Sequence, residues 1–208
     1  MRDSGTQWVN TTHDWAAAVD HEHLAQIRKQ PSRYATGGVE HLILEVLAYA
    51  VDEAQSAART GRGIVTLHAD GSVSVADDGR GTDTRIDAEG RVIKKPVMGT
   101  KDLRFFDHPD DETLSDGHPR RGISVVAALS QWLIHTNRRT EGSWTQRYEH
   151  GVPTTDLTPV ADDGTTGTTV HFQPDTAILM SLGVMTSVLQ HAASWPQLRI
   201  ELVDKRPS

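Results

Sequence analysis

Apolar residues recur at helical spacing from about Glu40 to Thr60 and predict an amphipathic helix. The apolar stripe comprises Leu42, Ile43, Val46, Leu47, Ala50, Val51 and Ala54. The acidic residues Glu45, Asp52 and Glu53 are expected on the other side, together with Tyr49. Positions 45 and 49 share one helix face, where a carboxylate is suited to orient a water molecule. A solvated acidic face is the alternative, and the charge pattern of this helix alone favours it.

Alternating apolar and polar residues, with turn residues between them, predict several strands, and helical spacing predicts further helices. Residues 64–68 and 73–75 flank Asp70 and Gly71, a dipeptide that supplies the positive φ values of a tight hairpin. Other strand-like segments are 144–150, 168–172 and 198–203. Further helices are predicted for residues 14–29, for a segment with Ile123, Val126, Ala127, Leu129 and Leu133, and for one with Ile178, Leu182, Met185 and Leu189.

The second strand of the hairpin leads into Asp77, followed by Gly79, Arg80 and Gly81. Glycines beside a carboxylate let the backbone approach a flat ligand, while the carboxylate accepts a hydrogen bond from it. An adenine amino group is a suitable donor. The same residues also occur in ordinary turns, so the motif alone does not decide between a site and a loop.

Composition limits the functional classes. A net charge of −7 and a pI near 5.8 provide no broad basic surface, so nucleic acid is not an expected partner. The chain has no cysteine for disulfides, no apolar run long enough to cross a membrane and no apolar leader at its polar N-terminus. The 208 residues therefore predict one cytoplasmic domain with a substantial core.

Seven blocks of sequence, in order, resemble the ATPase domain of the bacterial gyrase B subunit and of topoisomerase IV. They are residues 27–34, 45–54, 77–81, 124–130, 148–153, 166–172 and 202–207. The resemblance covers nearly everything from about residue 24 onward. It implies the α+β Bergerat (GHKL) ATPase fold, a mixed β-sheet covered by helices on one face with the nucleotide between them.

The same resemblance implies a division of the chain. Residues 1–23 form an N-terminal arm or helix, residues 24–208 the gyrase-B-like ATP-binding domain, and residues 83–121 its lid region. No transducer domain follows, so DNA strand passage by this chain alone is not expected. The arm is a candidate dimer element, through which a second copy or a gyrase-like partner associates; a simple capping helix is an equal alternative.

Site roles follow from the blocks that match. Glu45 corresponds to the general base of an ATP hydrolase related to type II topoisomerases. Asp77 holds adenine, and Thr168 supports Asp77 through its hydroxyl or a water molecule. The expected nucleotide-binding residues are Tyr49, Glu53, Asp77, Gly79, Arg80, Gly81, Gly122 and Thr168.

Departures from the family pattern concern the phosphate half of the site. Tyr49 stands where the family has an asparagine that binds magnesium, and a phenol is a poor ligand for a hard cation. In the segment from Gly117 to Gly122 only the outer glycines match. Arg120 and Arg121 either attract phosphate there or are plain surface charge. Asp83 and Thr145 replace a proline and an arginine near the base.

Two groups of acidic and histidine residues are candidates for metal ligands. His13, His21 and His23 fall on a helix expected to be solvated, since positions two apart do not face one ligand. The acidic segment 107–112 offers only weak support for a metal, and no metal ligand is assigned.

The sequence therefore predicts a gyrase-B-like domain that binds ATP or ADP, with weak or absent magnesium-dependent hydrolysis. The alternative is a non-catalytic module that binds a partner protein, or a planar small molecule in a repurposed adenine pocket. Neither function requires a membrane.

Overall fold

The computed structural model describes residues 19–82, 112–140, 142–178, 180 and 183–207. The helices are α1 (His21–Lys29), α2 (Pro31–Tyr34), α3 (Val39–Ser56), α4 (Ile123–Ala128) and α5 (Val184–Ala192). The strands are β1 (Gly61–Leu67), β2 (Val73–Asp77), β3 (Ser130–Arg138), β4 (Trp144–Glu149), β5 (Val152–Pro153), β6 (Thr158–Pro159), β7 (Gly167–Pro174) and β8 (Leu198–Asp204).

These strands form one mixed sheet in the order β5-β4-β3-β7-β2-β1-β8, with β6 paired to β4. The β1–β8 pair is parallel and the others are antiparallel. Buried residues alternate along the strands, as in Val65 and Leu67 of β1 and Val170 and Phe172 of β7. Helix α3 packs on β1, β2 and β8, while α4 packs on β3 and β4. This mixed sheet with a helical cover confirms the predicted α+β fold class.

Helix α3 confirms the predicted apolar stripe, since all seven of its members are buried. The helix ends at Ser56 rather than near Thr60. Ala58 adopts a left-handed φ of 50°, which cannot continue a right-handed helix. On the opposite side the prediction of a solvated acidic face is wrong for Glu45, which is 0% exposed.

The hairpin between β1 and β2 lies where it was predicted but differs in detail. His68 N–H donates to the Ser72 carbonyl at 2.9 Å, and Gly71 N–H donates to the His68 carbonyl at 3.1 Å. Gly71 has a φ of 82°, whereas Asp70 is not in the left-handed region. The loop is therefore a type I turn followed by a left-handed glycine. The Asp70 carboxylate accepts from Ser72 N–H at 3.0 Å and holds the turn.

Helix α1 is shorter and more deeply packed than predicted. Asp20 caps it by accepting a hydrogen bond from His23 N–H at 2.9 Å, so residues 19 and 20 precede the helix. His23 is buried, and its Nε2 lies 2.9 Å from Ser124 Oγ. The expectation of a solvated helix is wrong for His23, because it shares a stripe with the buried Leu24 and Ile27. His13 lies outside the described residues.

The C-terminal half contains two corrections. The apolar run from Ile123 to Leu133 is not one helix: α4 ends at Ala128, and β3 begins at Ser130. Every residue of α4 is buried, so its composition has no polar face to reveal where it stops. In α5 the buried stripe is Val184, Val188 and Ala192, whereas the predicted Leu189 is 49% exposed. No helix within the described ranges is long and apolar enough to cross a membrane.

Candidate functional site

A cavity of about 210 Å³ opens between helix α3 and the strand ends of the sheet. Its walls combine apolar and polar side chains from α3, β2, β3, α4 and β7. They are Val46, Tyr49, Glu53, Asp77, Gly81, Thr82, Ile123, His135, Thr168 and Val170. Five of the residues predicted to bind nucleotide are therefore brought to one cavity: Tyr49, Glu53, Asp77, Gly81 and Thr168.

Asp77 ends β2 with its side chain directed to the cavity wall. Its Oδ1 accepts hydrogen bonds from the N–H groups of Gly79, at 2.8 Å, and Thr168, at 3.3 Å. The expected contact with Thr168 is thus made by the backbone amide rather than the hydroxyl. Within the described structure Oδ2 has no hydrogen bond, which leaves it as an acceptor for a ligand. Burial raises the pKa of Asp77 to about 6, although the hydrogen bonds from the two backbone amides lower it.

Glu53 and Arg80 hold the loop after Asp77 against helix α3. Arg80 Nε donates to Glu53 Oε1 at 2.6 Å, Nη2 donates to Oε2 at 3.1 Å, and the Arg80 backbone N–H donates to Oε1 at 3.1 Å. A Cβ atom on Gly79 would stand 2.6 Å from Glu53 Cγ and 2.7 Å from Asp77 Oδ1. Glycine at position 79 is therefore required for the close approach of this loop to the helix.

Glu45 is buried at the N-terminus of α4, and it is not among the residues that line the cavity. Its Oε1 accepts from Arg121 N–H at 2.6 Å, and its Oε2 accepts from Gly122 N–H at 2.9 Å. The carboxylate therefore satisfies the amide of the N-cap residue Gly122, which the start of a helix leaves without an intrahelical partner, and the amide of the residue before it. In this arrangement Glu45 acts as a helix cap contributed from a distant segment.

Tyr49 continues the same capping pattern one residue later. Its hydroxyl oxygen accepts from Ile123 N–H at 3.1 Å, so three successive backbone amides are bonded to side chains of α3. The guanidinium of Arg120 lies over the Tyr49 ring, 5.0 Å from its centroid. The Tyr49 ring and hydroxyl thus occupy the space between α3 and the beginning of α4.

Arg120 is 1% exposed, so its interpretation as surface charge is wrong. Its Nη2 donates to Asp52 at 2.7 Å and its Nη1 donates to Glu112 at 2.9 Å. Burial lowers the pKa of the guanidinium, but the carboxylates of Asp52 and Glu112 outweigh it and raise that pKa. Arg120 is therefore committed to two carboxylates and one aromatic ring.

A buried histidine links this region to the loop before α4. His41 Nδ1 lies 2.7 Å from Asp116 Oδ2, and its Nε2 lies 3.5 Å from Glu45 Oε1. Burial opposes the charge on His41, but hydrogen bonds to Asp116 and Glu45 raise its pKa to about 9. The positive imidazolium ties Glu45 into a buried charged group of three residues.

His135 is a cavity residue that the sequence pattern did not reveal. It is 1% exposed, and neither ring nitrogen has a hydrogen-bond partner among the described residues. Its ring packs edge-on against Trp144, with centroids 4.9 Å apart. Burial lowers the pKa of His135 to about 4, so the ring is neutral near pH 7. The alternation of Leu133, His135 and Asn137 is the signal that identifies β3 as a strand and places His135 on its inner face.

The remaining expectations concern residues 83–121. Residues 83–111 lie outside the described residues, and with them Asp83, most of the lid region and most of the acidic segment. From residue 112 on, Thr113 pairs with Pro119 in an isolated bridge. In the part of the chain that is described, no group of three or more histidine or acidic side chains is arranged to hold a metal ion.

The cavity offers a fit to a base but not to a metal-bound triphosphate. Asp77 Oδ2 is a carboxylate acceptor on a half-buried side chain, as recognition of an amino group requires. On the phosphate side, the amides of residues 121–123 already donate to Glu45 and Tyr49. The phenol of Tyr49 also supplies no hard oxygen ligand comparable to a carboxylate or amide.

Known proteins similar to this chain include B subunits of DNA gyrase and of DNA topoisomerase IV. The DNA gyrase B subunit of Thermotoga maritima is 36% identical over 192 residues, which cover 88% of this chain and 30% of that protein. The corresponding protein of Mycolicibacterium smegmatis is 39% identical over 196 residues, covering 89% of this chain and 28% of the relative. The DNA topoisomerase IV B subunit of Bacillus subtilis is 32% identical over 198 residues, covering 89% of this chain and 30% of the relative. The chain thus spans less than a third of the length of these relatives, and no protein-family profile matches it.

Proposed function

We propose a function for this chain as a member of the family of the DNA gyrase and DNA topoisomerase IV B subunits. It is a gyrase-B-like domain that binds an adenine nucleotide and whose chemistry is degenerate. Its base pocket is retained, and magnesium-dependent ATP hydrolysis is lost or much weakened. The observation that carries this proposal is the bonding of the amides of residues 121–123 to Glu45 and Tyr49.

The retained half of the site is the wall built by β2 and β7. Asp77 Oδ1 is fixed by two backbone amides, so Oδ2 is held in one position for a donor on the ligand. The Glu53–Arg80 ion pair fixes the loop that follows. This wall supports binding of adenine, in ATP, ADP or a smaller ligand, without any contribution from a metal.

The lost half is the phosphate side. A general base must reach a water molecule and take its proton, yet each oxygen of Glu45 already accepts a backbone hydrogen bond and the side chain is fully buried. Phosphate binding at the start of α4 requires the amides of residues 121–123 to leave Glu45 and Tyr49. Both requirements disfavour hydrolysis.

A second function is favoured by the size of the cavity. Ligand pockets commonly measure roughly 300–1,000 Å³, whereas this one measures about 210 Å³. With the ring of Tyr49 bounding it, the space suits a planar small molecule better than a whole nucleotide. A non-catalytic module that binds such a molecule, or a partner protein, is the corresponding function.

A steady-state ATPase assay tests the loss of hydrolysis, with Glu45→Gln as the matched variant. We expect the wild-type chain and Glu45→Gln to show the same rate with magnesium, indistinguishable from the protein-free background. An ATPase rate above background that disappears in Glu45→Gln would contradict the proposal, because Glu45 would then act as the general base.

Association is part of the proposal as well. Residues 1–23 are proposed to form an arm that joins a second copy of the chain or a gyrase-like partner, while residues 24–208 form the nucleotide-binding unit. Analytical ultracentrifugation over a range of protein concentrations tests self-association; a mass that stays monomeric throughout would rule out the second copy and leave the gyrase-like partner.

A further inference from the structure

His135 is an exception among the buried polar residues around the cavity. Gln146, opposite it on β4, donates from Nε2 to the Thr155 carbonyl at 3.0 Å and accepts from the Tyr148 hydroxyl at 2.6 Å. Asn137, two residues further along β3, accepts from Thr82 N–H at 2.6 Å and donates to the Thr82 carbonyl at 3.1 Å. His135 has no such hydrogen bond in the described structure, although it lines the cavity and Gln146 and Asn137 do not.

A buried imidazole without partners is costly, because a leucine or valine of similar size would fill the same space without losing hydrogen bonds to water. The neighbouring wall residues Val46, Ile123 and Val170 are apolar, so a histidine is not needed for packing. A neutral imidazole carries one N–H donor and one nitrogen acceptor. A ligand is the natural source of the missing hydrogen bond.

The register of the sheet places His135 relative to Asp77. Strand β7 separates β2 from β3, so the two residues stand two strands apart, about 10 Å across the sheet. Val170 pairs with Val75 on one side and with His135 on the other, which sets His135 deeper in the cavity than Asp77. This separation is on the scale of a fused two-ring system with a hydrogen bond at each end.

We propose that His135 is a specificity-determining residue, which selects a planar bicyclic heteroaromatic ligand of the purine class by hydrogen bonding to one of its ring nitrogens. Asp77 binds an amino group at one edge of the ligand, and His135 binds a ring nitrogen at the deep edge. The inference rests on the proposed base pocket, and it adds the second contact point and the ligand class.

The test compares the binding of adenine and its carbon-for-nitrogen (deaza) analogues to the wild-type chain, to His135→Leu and to the control Gln146→Leu, by calorimetry. We expect His135→Leu to bind adenine about tenfold more weakly, as loss of one buried hydrogen bond predicts. One deaza analogue should bind the wild type about tenfold more weakly than adenine and should lose that difference in His135→Leu. Gln146→Leu should bind adenine as the wild type does.

Thermal unfolding separates a ligand-binding role from a structural one. His135→Leu should raise Tm by about 2–4 °C, because it removes an unsatisfied buried polar group. Gln146→Leu should lower Tm, because it leaves the Tyr148 hydroxyl and the Thr155 carbonyl without their partner. A higher Tm together with weaker adenine binding is a combination that a purely structural histidine does not produce.

Two outcomes overturn the inference in distinguishable ways. If His135→Leu binds adenine and all deaza analogues as the wild type does, His135 makes no contact with the ligand while the base pocket stands. If the wild-type chain binds neither adenine nor any analogue, the proposed base pocket fails and the inference fails with it.

Discussion

At the scale of single residues, the site depends on how each carboxylate is used. Glu45 is fully buried and Asp77 is half-buried, and the surroundings of the two acids differ. Asp77 keeps one oxygen without a hydrogen bond in the described structure, whereas Glu45 has an amide on each oxygen. The first arrangement leaves a group that can bind a ligand, and the second makes a structural cap. We therefore propose that Asp77 keeps its predicted role of binding the base, whereas Glu45 caps α4 instead of acting as the predicted general base.

Asp77 should make the binding of an amino-bearing base sensitive to pH. With a pKa near 6, raised by burial and by the charges of Asp78 and Glu53, Asp77 becomes protonated as the pH falls below that value. A protonated carboxyl is a poorer acceptor for an amino group, so adenosine affinity should be constant above about pH 7 and fall up to about tenfold for each unit below pH 6.

Calorimetry with adenosine at pH 7.5, 6 and 5 measures this effect. Asp77→Asn serves as the control. It should bind adenosine weakly, and its affinity for adenosine should not fall as the pH is lowered through 6. Equal wild-type affinity at all three values would show that Asp77 does not accept from the base.

At the scale of elements, helix α4 depends on α3 for its first turn. It is six residues long, too short to be stable by itself. Glu45 and Tyr49 stand one turn apart on α3, and this spacing brings a carboxylate and a phenol to consecutive amides of α4. Gly122, predicted to bind nucleotide, is the residue whose amide Glu45 holds.

Tyr49→Phe should destabilise the fold, because it removes only the hydroxyl that accepts from Ile123 N–H. Loss of a helix cap predicts a decrease of about 1–2 kcal/mol in the free energy of unfolding. Urea unfolding of the two proteins measures it. If Tyr49→Phe and the wild type have the same midpoint and slope, the hydroxyl does not act as a cap.

His41 joins helix α3 to the loop before α4, and its charge should be visible in the pH dependence of stability. Its folded pKa of about 9 lies above the ordinary value of 6.5. The folded state therefore binds the proton more tightly than the unfolded state does. The resulting stabilisation is complete below pH 6.5 and is lost as the pH rises through 9.

Urea unfolding at pH 6, 7.5 and 9 measures the loss of stability, which should reach about 3 kcal/mol across that window. The variant His41→Gln should be less stable at pH 6 and should lack this decline. A wild-type stability that is constant from pH 6 to 9 would mean that His41 is not charged in the fold.

At the scale of the whole molecule, the parts that sequence predicts well are those with a one-sided pattern. The stripe of α3, the hairpin and the last strand each alternate between core and solvent, and they lie where they were predicted. The pattern predicts helix α4 and the start of strand β3 as one helix, because a fully buried helix that runs into a strand shows no change of periodicity at the boundary.

The candidate site was predictable only in part, for a related reason. Asp77 and Glu53 belong to local motifs, and the structure brings both to the cavity. The burial of Glu45, by contrast, depends on amides 76 and 77 residues further along the chain, and that of His135 depends on a strand the pattern did not show. Such long-range partners cannot be inferred from local spacing.

The base half of the pocket is proposed to bind its ligand without the phosphate half. Calorimetric titration of adenosine and of ATP into the wild-type chain, each with and without magnesium, tests it most directly. We predict that both ligands bind with affinities within a few-fold of each other and that magnesium changes neither. ATP binding about tenfold or more tighter than adenosine binding, and only with magnesium, would mean that the phosphate half still functions.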